Sequence, residues 1–529
     1  MTLSDVIRNQ ERDLQFRLSV PKIMLLRYFL ALLLFVLIPF VSRAQYNANT
    51  STAVIAYPRT IPCPASSCSG GGSLVGVNTT ITPSDFTNPI TRVTDNFSLS
   101  STQSYNWSYS GGAYPVPFDR TDTRFVVYTA SGNQAVPFSW NPATLQATKL
   151  YGSSYTMTTP QPYTSVTFSF TQPYIGYALS FNGSSDPAIY SYDFTSTTTA
   201  PTGVPLVDLS TCVPALAGLG YETANDLVVS QDDQTFGIDL SSTPGQGSSG
   251  DVYVVIWNRT TGCRVWNTAT GAVTGAWGTM GTVGISDKFR LHDATLGEGG
   301  TWAYVVAATC LSNCNTSPTW KGYFWDISTL AVTGLTSDSA CGHFAAGYSL
   351  AVNECDFGSG HYQATWYERP MSAPNTIPPT GVINSNNIPN YTTPQWDQHP
   401  SWATDNSSDT APFCTTVFNG QFAVSGVYDN EVVCIAMNGT GTVWRFGHTY
   451  SSYQSASFEA QNVIGAVSAD GKWFLWTSDW DGMLGNTSGA SSTCTLGTNC
   501  RNDVFIMALP QSTVTVAPNP PIGLSAVIN

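Results

Sequence analysis

Charge is what this sequence has least of. Only 10% of its 529 residues are Asp, Glu, Lys or Arg, and the formal net charge is −14. Beyond residue 44, lysine is confined to Lys149, Lys288, Lys321 and Lys472. Neutralising a phosphate backbone takes clustered Lys and Arg, so nucleic acid is excluded as a partner, and an acidic membrane surface on the same ground. Low charge signals disorder only where apolar content is low as well. At 42% it is not, and Ser, Thr, Asn and Gly solvate the surface instead. Helical periodicity is missing outside the first 44 residues. Missing too are a Gly-x-Ser-x-Gly elbow, a phosphate loop, a dinucleotide fingerprint and His-Glu-x-x-His, along with the chemistries they serve. Histidine is scarce: His292, His343, His361, His399 and His448, all in the C-terminal half.

The longest apolar run, Tyr28 to Val41, follows Lys22 and Arg27 and precedes Ser42-Arg43-Ala44. This is the layout of a secretory signal peptide over residues 1–44, cleaved before Gln45. An uncleaved anchor is the alternative, although the run is shorter than the roughly 20 residues of a membrane span. The leader before the run is long, which makes Met24 a candidate true start.

Twelve cysteines suit an oxidising compartment. Neighbouring pairs read as local disulfides: Cys63 with Cys68, Cys310 with Cys314, Cys341 with Cys355, Cys414 with Cys434, and Cys494 with Cys500. Cys212 and Cys263 remain for each other. Zinc is the rival reading at Cys63 and Cys310, but no second ligand pair stands close behind either. Sequons such as Asn96-Phe97-Ser98 and Asn258-Arg259-Thr260 are numerous, as expected by chance in such a composition.

Short β-rich runs bounded by turn residues fill the rest, for example Arg124-Phe-Val-Val-Tyr128 and Trp473 to Trp476. Two features repeat. One is an aromatic, then Asn or Asp, then a Thr-containing turn, starting at Trp140, Tyr192, Trp266 and Trp325, at intervals of 52, 74 and 59 residues. The other is a polar tight turn before an apolar strand, at Thr121-Asp122-Thr123, Gln231 to Gln234, Gly297 to Gly300 and Ser468 to Lys472. A repeat of this length is one propeller blade. The expected fold class is therefore all-β: a single β-propeller of seven four-stranded blades, stapled by local disulfides. Blade boundaries are expected near 95, 155, 220, 286, 341, 398 and 447. The propeller would occupy 95–510, with residues 45–94 packed against it to help close the ring. Residues 511–529 form a tail containing Pro518, Pro520 and Pro521. A right-handed β-helix is the structural alternative.

His292, His343, His399 and His448 are separated by 51, 56 and 49 residues, the blade interval, and each stands at an expected blade start. Equivalent positions in a propeller share radius and height. Four imidazoles would then meet at one channel mouth and suit a divalent metal such as manganese or zinc. The alternative is four hydrogen bonds that fix blade packing. His361 is out of phase and reads as an ordinary strand residue. Arg290 lies two residues before His292 and Arg445 three before His448. Both are candidates to receive an acidic sugar, against a surface ion pair or stacking on Trp444. Asp479-Trp480-Asp481-Gly482 opens like a calcium loop but lacks the closing Glu, and reads as a turn. Trp473, Trp476 and Trp480 could stack on sugars or fill the core between blades.

The segment Val467 to Gly482, with its Ser468-Ala-Asp-Gly-Lys472 strand-turn-strand, resembles TolB-like propellers. With His399-Pro400 and the periodic histidines, the C-terminal half is similar to oligogalacturonate lyases. That resemblance implies a seven-bladed propeller, a metal held by histidines and a glutamine, and cleavage of uronides by β-elimination. His343, His399 and His448 would be ligands, with Gln461 as the glutamine near the substrate. The expected function is a secreted propeller acting on or binding extracellular polysaccharide, in its sharper form a metal-dependent lyase of acidic glycans. The alternative is a non-catalytic propeller binding glycan or protein at the cell surface or in the matrix.

Overall fold

The computed structural model describes residues 46–56, 60–65, 76–95, 97–99, 105–107, 115–129, 134–158, 160–181, 187–217, 226–241, 251–314, 321–336, 343–355, 365–376, 380–383, 399–402, 407–417, 426–437, 441–451, 464–485 and 500–512. Residues 1–44, read as a signal peptide, lie outside that set, as do 513–529. Among the described residues no helix is long and apolar enough to cross a membrane.

Seven antiparallel sheets follow one another along the chain as the blades of a propeller. Blade one comprises Tyr105–Asn106, Arg124–Thr129, Ala135–Asn141 and Gln146–Lys149. Blade two comprises Thr167–Phe168, Ile175–Phe181, Pro187–Asp193 and Val204–Asp208. Blade three adds two short edge strands to four and runs from Val228–Val229 to Gly281–Thr282. Blade four comprises Lys288–Leu296, Trp302–Ser312, Gly322–Asp326 and Val332–Gly334. Blade five comprises Phe344–Ala346, Leu350–Cys355, Thr365–Pro370 and Thr380–Ile383. Blade six comprises Phe413–Thr416, Glu431–Ile435 and Val443–His448, and Ser401 supplies a one-residue inner strand by bridging Cys414. Blade seven combines Gly465–Val467, Trp473–Ser478 and Asp503–Ala508 with Ile90–Arg92 and Thr80–Ile81. Blades three and seven thus exceed four strands, with six and five, because edge additions cost little once the inner strands are in place.

The repeated sequence features are hairpin devices. In the aromatic–Asn/Asp turn, the side-chain oxygen accepts the N–H groups that follow it. Asn141 takes those of Ala143 and Thr144, Asn267 those of Ala269 and Thr270, and Asp193 that of Thr195. In the tight turns Asp119 accepts N–H groups from Thr121, Thr123 and Arg124 at 3.1, 2.7 and 2.6 Å. Ser468 Oγ does the same for Lys472 and Trp473, across Gly471 at φ +75°.

The core lies between blades. Trp266 of blade three meets Trp325 of blade four at 5.7 Å, and Trp140 of blade one meets Trp473 of blade seven edge-on at 5.3 Å. A sheet buries its faces only against its neighbours, so the ring must close. Ile90, Thr91 and Arg92 pair with Met507, Ile506 and Phe505, making the N-terminal segment part of the last blade. The join is fixed by a fully buried Arg92–Asp503 ion pair at 2.6 Å, to which Thr94 donates at 2.9 Å.

Cys212–Cys263 ties blade two to blade three, Cys414–Cys434 crosses two paired strands, and Cys310–Cys314 closes a short loop. Cys68, Cys341 and Cys494, and so the other three expected pairings, lie outside the described residues.

Candidate functional site at the channel

Residues of the innermost strands and of the turns that follow them surround a small central cavity. It measures about 20 Å³, room for roughly one water, and is bounded by Thr167, Val228, Thr295, Ala345, Trp402 and Glu298.

Three of the periodic histidines stand on these strands or just before them, upstream of the cavity residues. His292 is in Lys288–Leu296, three residues before Thr295; His343 is two before Ala345; His399 is three before Trp402. Those offsets are two or three residues, and His343 is near enough to both His292 and His399 to disfavour a proton on either. The rings of His343 and His399 are 4.3 Å apart, inclined at 39°. His292 occupies a bulge: Leu291 pairs with Ala307 and Asp293 with Val306, leaving it outside the ladder. A bulge re-aims its side chain and is frequent beside functional sites. Phe289 and Leu291 are buried in the core while Lys288, Arg290 and His292 are only half-buried.

Burial, then the positive charge of protonated His343, push the imidazole of His292 down to about 4. His399 is held well below its ordinary range by burial, then by His343 and His292. Both are neutral at physiological pH. Blade three carries Asp226 at the matching offset, two residues before Val228, where its carboxylate accepts the Ser165 N–H at 2.7 Å. The sequence reading missed Asp226. It stands 66 residues before His292, outside the interval of 49 to 56 that marks the histidines.

His448 and Arg445 require a correction. The expectation placed both at the start of blade seven, facing the channel. They lie at the end of Val443–His448, an outer strand of blade six, and blade seven's inner strand begins only at Gly465. His399 to His448 is one blade's full length, so the interval matched while the position did not. His448 Nε2 is 3.2 Å from Asp85 Oδ2, and its ring meets Phe86 edge-on at 5.3 Å. Arg445 is fully buried. Its guanidinium forks onto Glu431, with Nε to Oε2 at 2.6 Å, and donates to the carbonyls of Ser51 and Ala53 at 2.9 and 2.7 Å. Both residues therefore fasten the N-terminal segment. No local signal could have announced this, since Asp85 is 363 positions from His448. Gln461 and His361 lie outside the described residues.

Trp473, Trp476 and Trp480 are core residues: Trp480 is fully buried and stacks on Phe505 at 4.5 Å. The segment around it is a turn, with Trp480, Asp481 and Gly482 all at positive φ.

No protein-family model matches the sequence, and no curated protein does. Among solved structures, the oligogalacturonate lyase from Vibrio parahaemolyticus is similar at a TM-score of 0.49 and 11% identity, covering 82% of this chain and 97% of that one. An oligogalacturonate lyase in complex with manganese is similar at 0.48 and 11%, covering 82% and 96%. TolB from Acinetobacter baumannii follows at 0.33 and 13%, covering 63% and 66%. Both kinds of propeller that the sequence resembles are thus among the similar structures, and at these identities the likeness concerns the fold alone.

Proposed function

We propose that this chain is a secreted propeller that acts on acidic extracellular polysaccharide through a divalent metal held by His292, His343 and His399. The observation that carries the reading is the approach of the His343 and His399 rings to 4.3 Å, with the imidazoles of His292 and His399 held neutral by burial and by their histidine neighbours. Neutral imidazole is the form that ligates metal, and nitrogen donors of this kind suit manganese, zinc and similar ions. Among the described residues no three His, Cys, Asp or Glu side chains are already gathered as a ligand set. Loading would therefore draw the three rings together, with Gln461 as a further donor on the family resemblance.

When bound, such a metal would neutralise the uronate carboxylate and so acidify the proton α to it. The chain's own contribution is orientation. Arg290 lies two residues before His292 and is half-buried, and a guanidinium grips a carboxylate in a planar, two-point geometry that would fix the sugar. Cations are few in this chain, which gives Arg290 weight as the anion-binding group.

The test is lyase activity on polygalacturonate and other uronides, read as unsaturated product, after loading with manganese or zinc. Activity in the parent that falls at least about 100-fold in His343→Ala/His399→Ala, with a raised KM in Arg290→Ala, supports the reading. Loaded parent that binds uronide without forming product would leave the non-catalytic binding propeller as the better account.

A further inference from the structure

The seam between blades one and two carries three tyrosines and two cations joined by a chain of contacts. Tyr174, in the turn before Ile175–Phe181, lies under the Arg124 guanidinium at 5.1 Å, and Arg124 Nε donates to Phe194 O at 3.2 Å. Two residues beyond Phe194, Ser196 O accepts from Tyr151 Oη at 3.0 Å, and Tyr151 meets Tyr155 edge-on at 5.1 Å. Lys149 Nζ donates to Ser153 O, between those two tyrosines in sequence. All five residues are half-buried. Gly152 to Ser154 and Thr171 to Pro173, beside them, are exposed, and a Cβ on Gly152 would meet nothing within 4 Å. Tyr151 and Tyr174 stand at φ +64° and +63°, a conformation that bulky side chains rarely adopt and that recurs at ligand clamps.

The two cations lack counter-charges. Elsewhere outside the core, Lys321 and Lys472 are paired with carboxylates. Among the described residues Arg124 and Lys149 are not: Arg124 donates only to the carbonyls of Thr123 and Phe194, and Lys149 only to that of Ser153. Asp193 faces Tyr151 but accepts the Thr195 N–H of its own turn at 2.8 Å. Burial pushes the Lys149 amine down to about 8, and no carboxylate offsets it. The hydroxyls of Tyr155 and Tyr174 have no hydrogen-bond partner among the described residues either.

We propose that this seam is a second glycan site, which takes a uronate-bearing oligosaccharide on blades one and two, while the periodic histidines belong to blades four, five and six. Tyrosine offers an apolar ring to the body of a sugar and a hydroxyl to its edge. The cations take carboxylates, Arg124 with its planar fork and Lys149 as a point charge. Rings and cations in one continuous set of contacts match a chain that repeats sugar and carboxylate. Holding polymer at the seam raises its local concentration at the channel. The acidic character of the ligand rests on the function proposed above, whereas the seam itself needs no metal.

The experiment is calorimetric titration with oligogalacturonate of a protein whose channel is disabled by His343→Ala/His399→Ala/Arg290→Ala, with dextran fragments of matched length as the neutral control. The seam predicts saturable binding in that protein, weakened by added salt. Adding Arg124→Gln/Tyr155→Ala should weaken it at least about tenfold, and dextran should not bind. No binding in the channel-disabled protein, undiminished binding after the seam substitutions, or equal binding of dextran would overturn the proposal. A chain that binds at the seam yet shows no lyase activity contradicts the function proposed above and leaves the seam standing, so the two failures are told apart. Should the variants fail to fold, hydrogen exchange of the parent decides. Protection by oligogalacturonate at residues 149–155 and 171–175 supports the seam, and its absence there contradicts it.

Discussion

The rings of His343 and His399 lie 4.3 Å apart, although 56 residues and a blade boundary separate them. That closeness follows from repetition: each residue stands just upstream of its blade's inner strand, and adjacent inner strands run side by side. Two imidazoles held this near each other disfavour a proton on either, which is why burial and mutual charge act in the same direction at His399.

His448 gives the acid limb of stability a specific cause. Burial depresses it to about 3, so its contribution is full above its ordinary value of 6.5 and lost as pH falls toward 3. His448→Gln should lower stability at pH 7 while flattening the decline between pH 6.5 and pH 4. Denaturant unfolding of both proteins across that window measures it, and an unchanged slope would contradict the assignment.

Arg445 and Glu431 should show the asymmetry of a buried pair. Arg445→Met leaves a buried carboxylate uncompensated and also strips the Ser51 and Ala53 carbonyls of their donor. A loss of about 3–5 kcal/mol is expected. Adding Glu431→Leu should recover much of it. Urea unfolding of the two single variants and the double variant tests this, and equal losses in Arg445→Met and the double variant would argue against the pair.

Cys212–Cys263, with a sequence separation of 51, closes a long loop between two blades, whereas Cys310–Cys314 closes a short one. Chain entropy gives about 4 kcal/mol for the first and about 2 kcal/mol for the second. Replacing each pair by serine and comparing unfolding midpoints should reproduce that order.

Fold was legible because the turn chemistry that builds each blade is local. The Asn and Asp residues that cap hairpins at Asn141, Asp193 and Asn267 announce themselves within three positions. The period that marks His292, His343 and His399 was legible in the sequence. It misled at His448, because a period fixes spacing and not which strand of a blade a residue occupies. Partners supplied from the far end of the chain, such as Asp85 to His448 and Ser51 and Ala53 to Arg445, leave no local trace.

The central claim is that His292, His343 and His399 hold a metal. It is tested most directly by elemental analysis of the purified mature protein, dialysed after loading with manganese or zinc, beside His343→Ala/His399→Ala. The account predicts near-stoichiometric metal in the parent, and little in a variant that keeps its melting temperature in metal-free buffer. A parent that takes up no metal, or a folded variant that retains it, would contradict the account and return the histidines to blade packing.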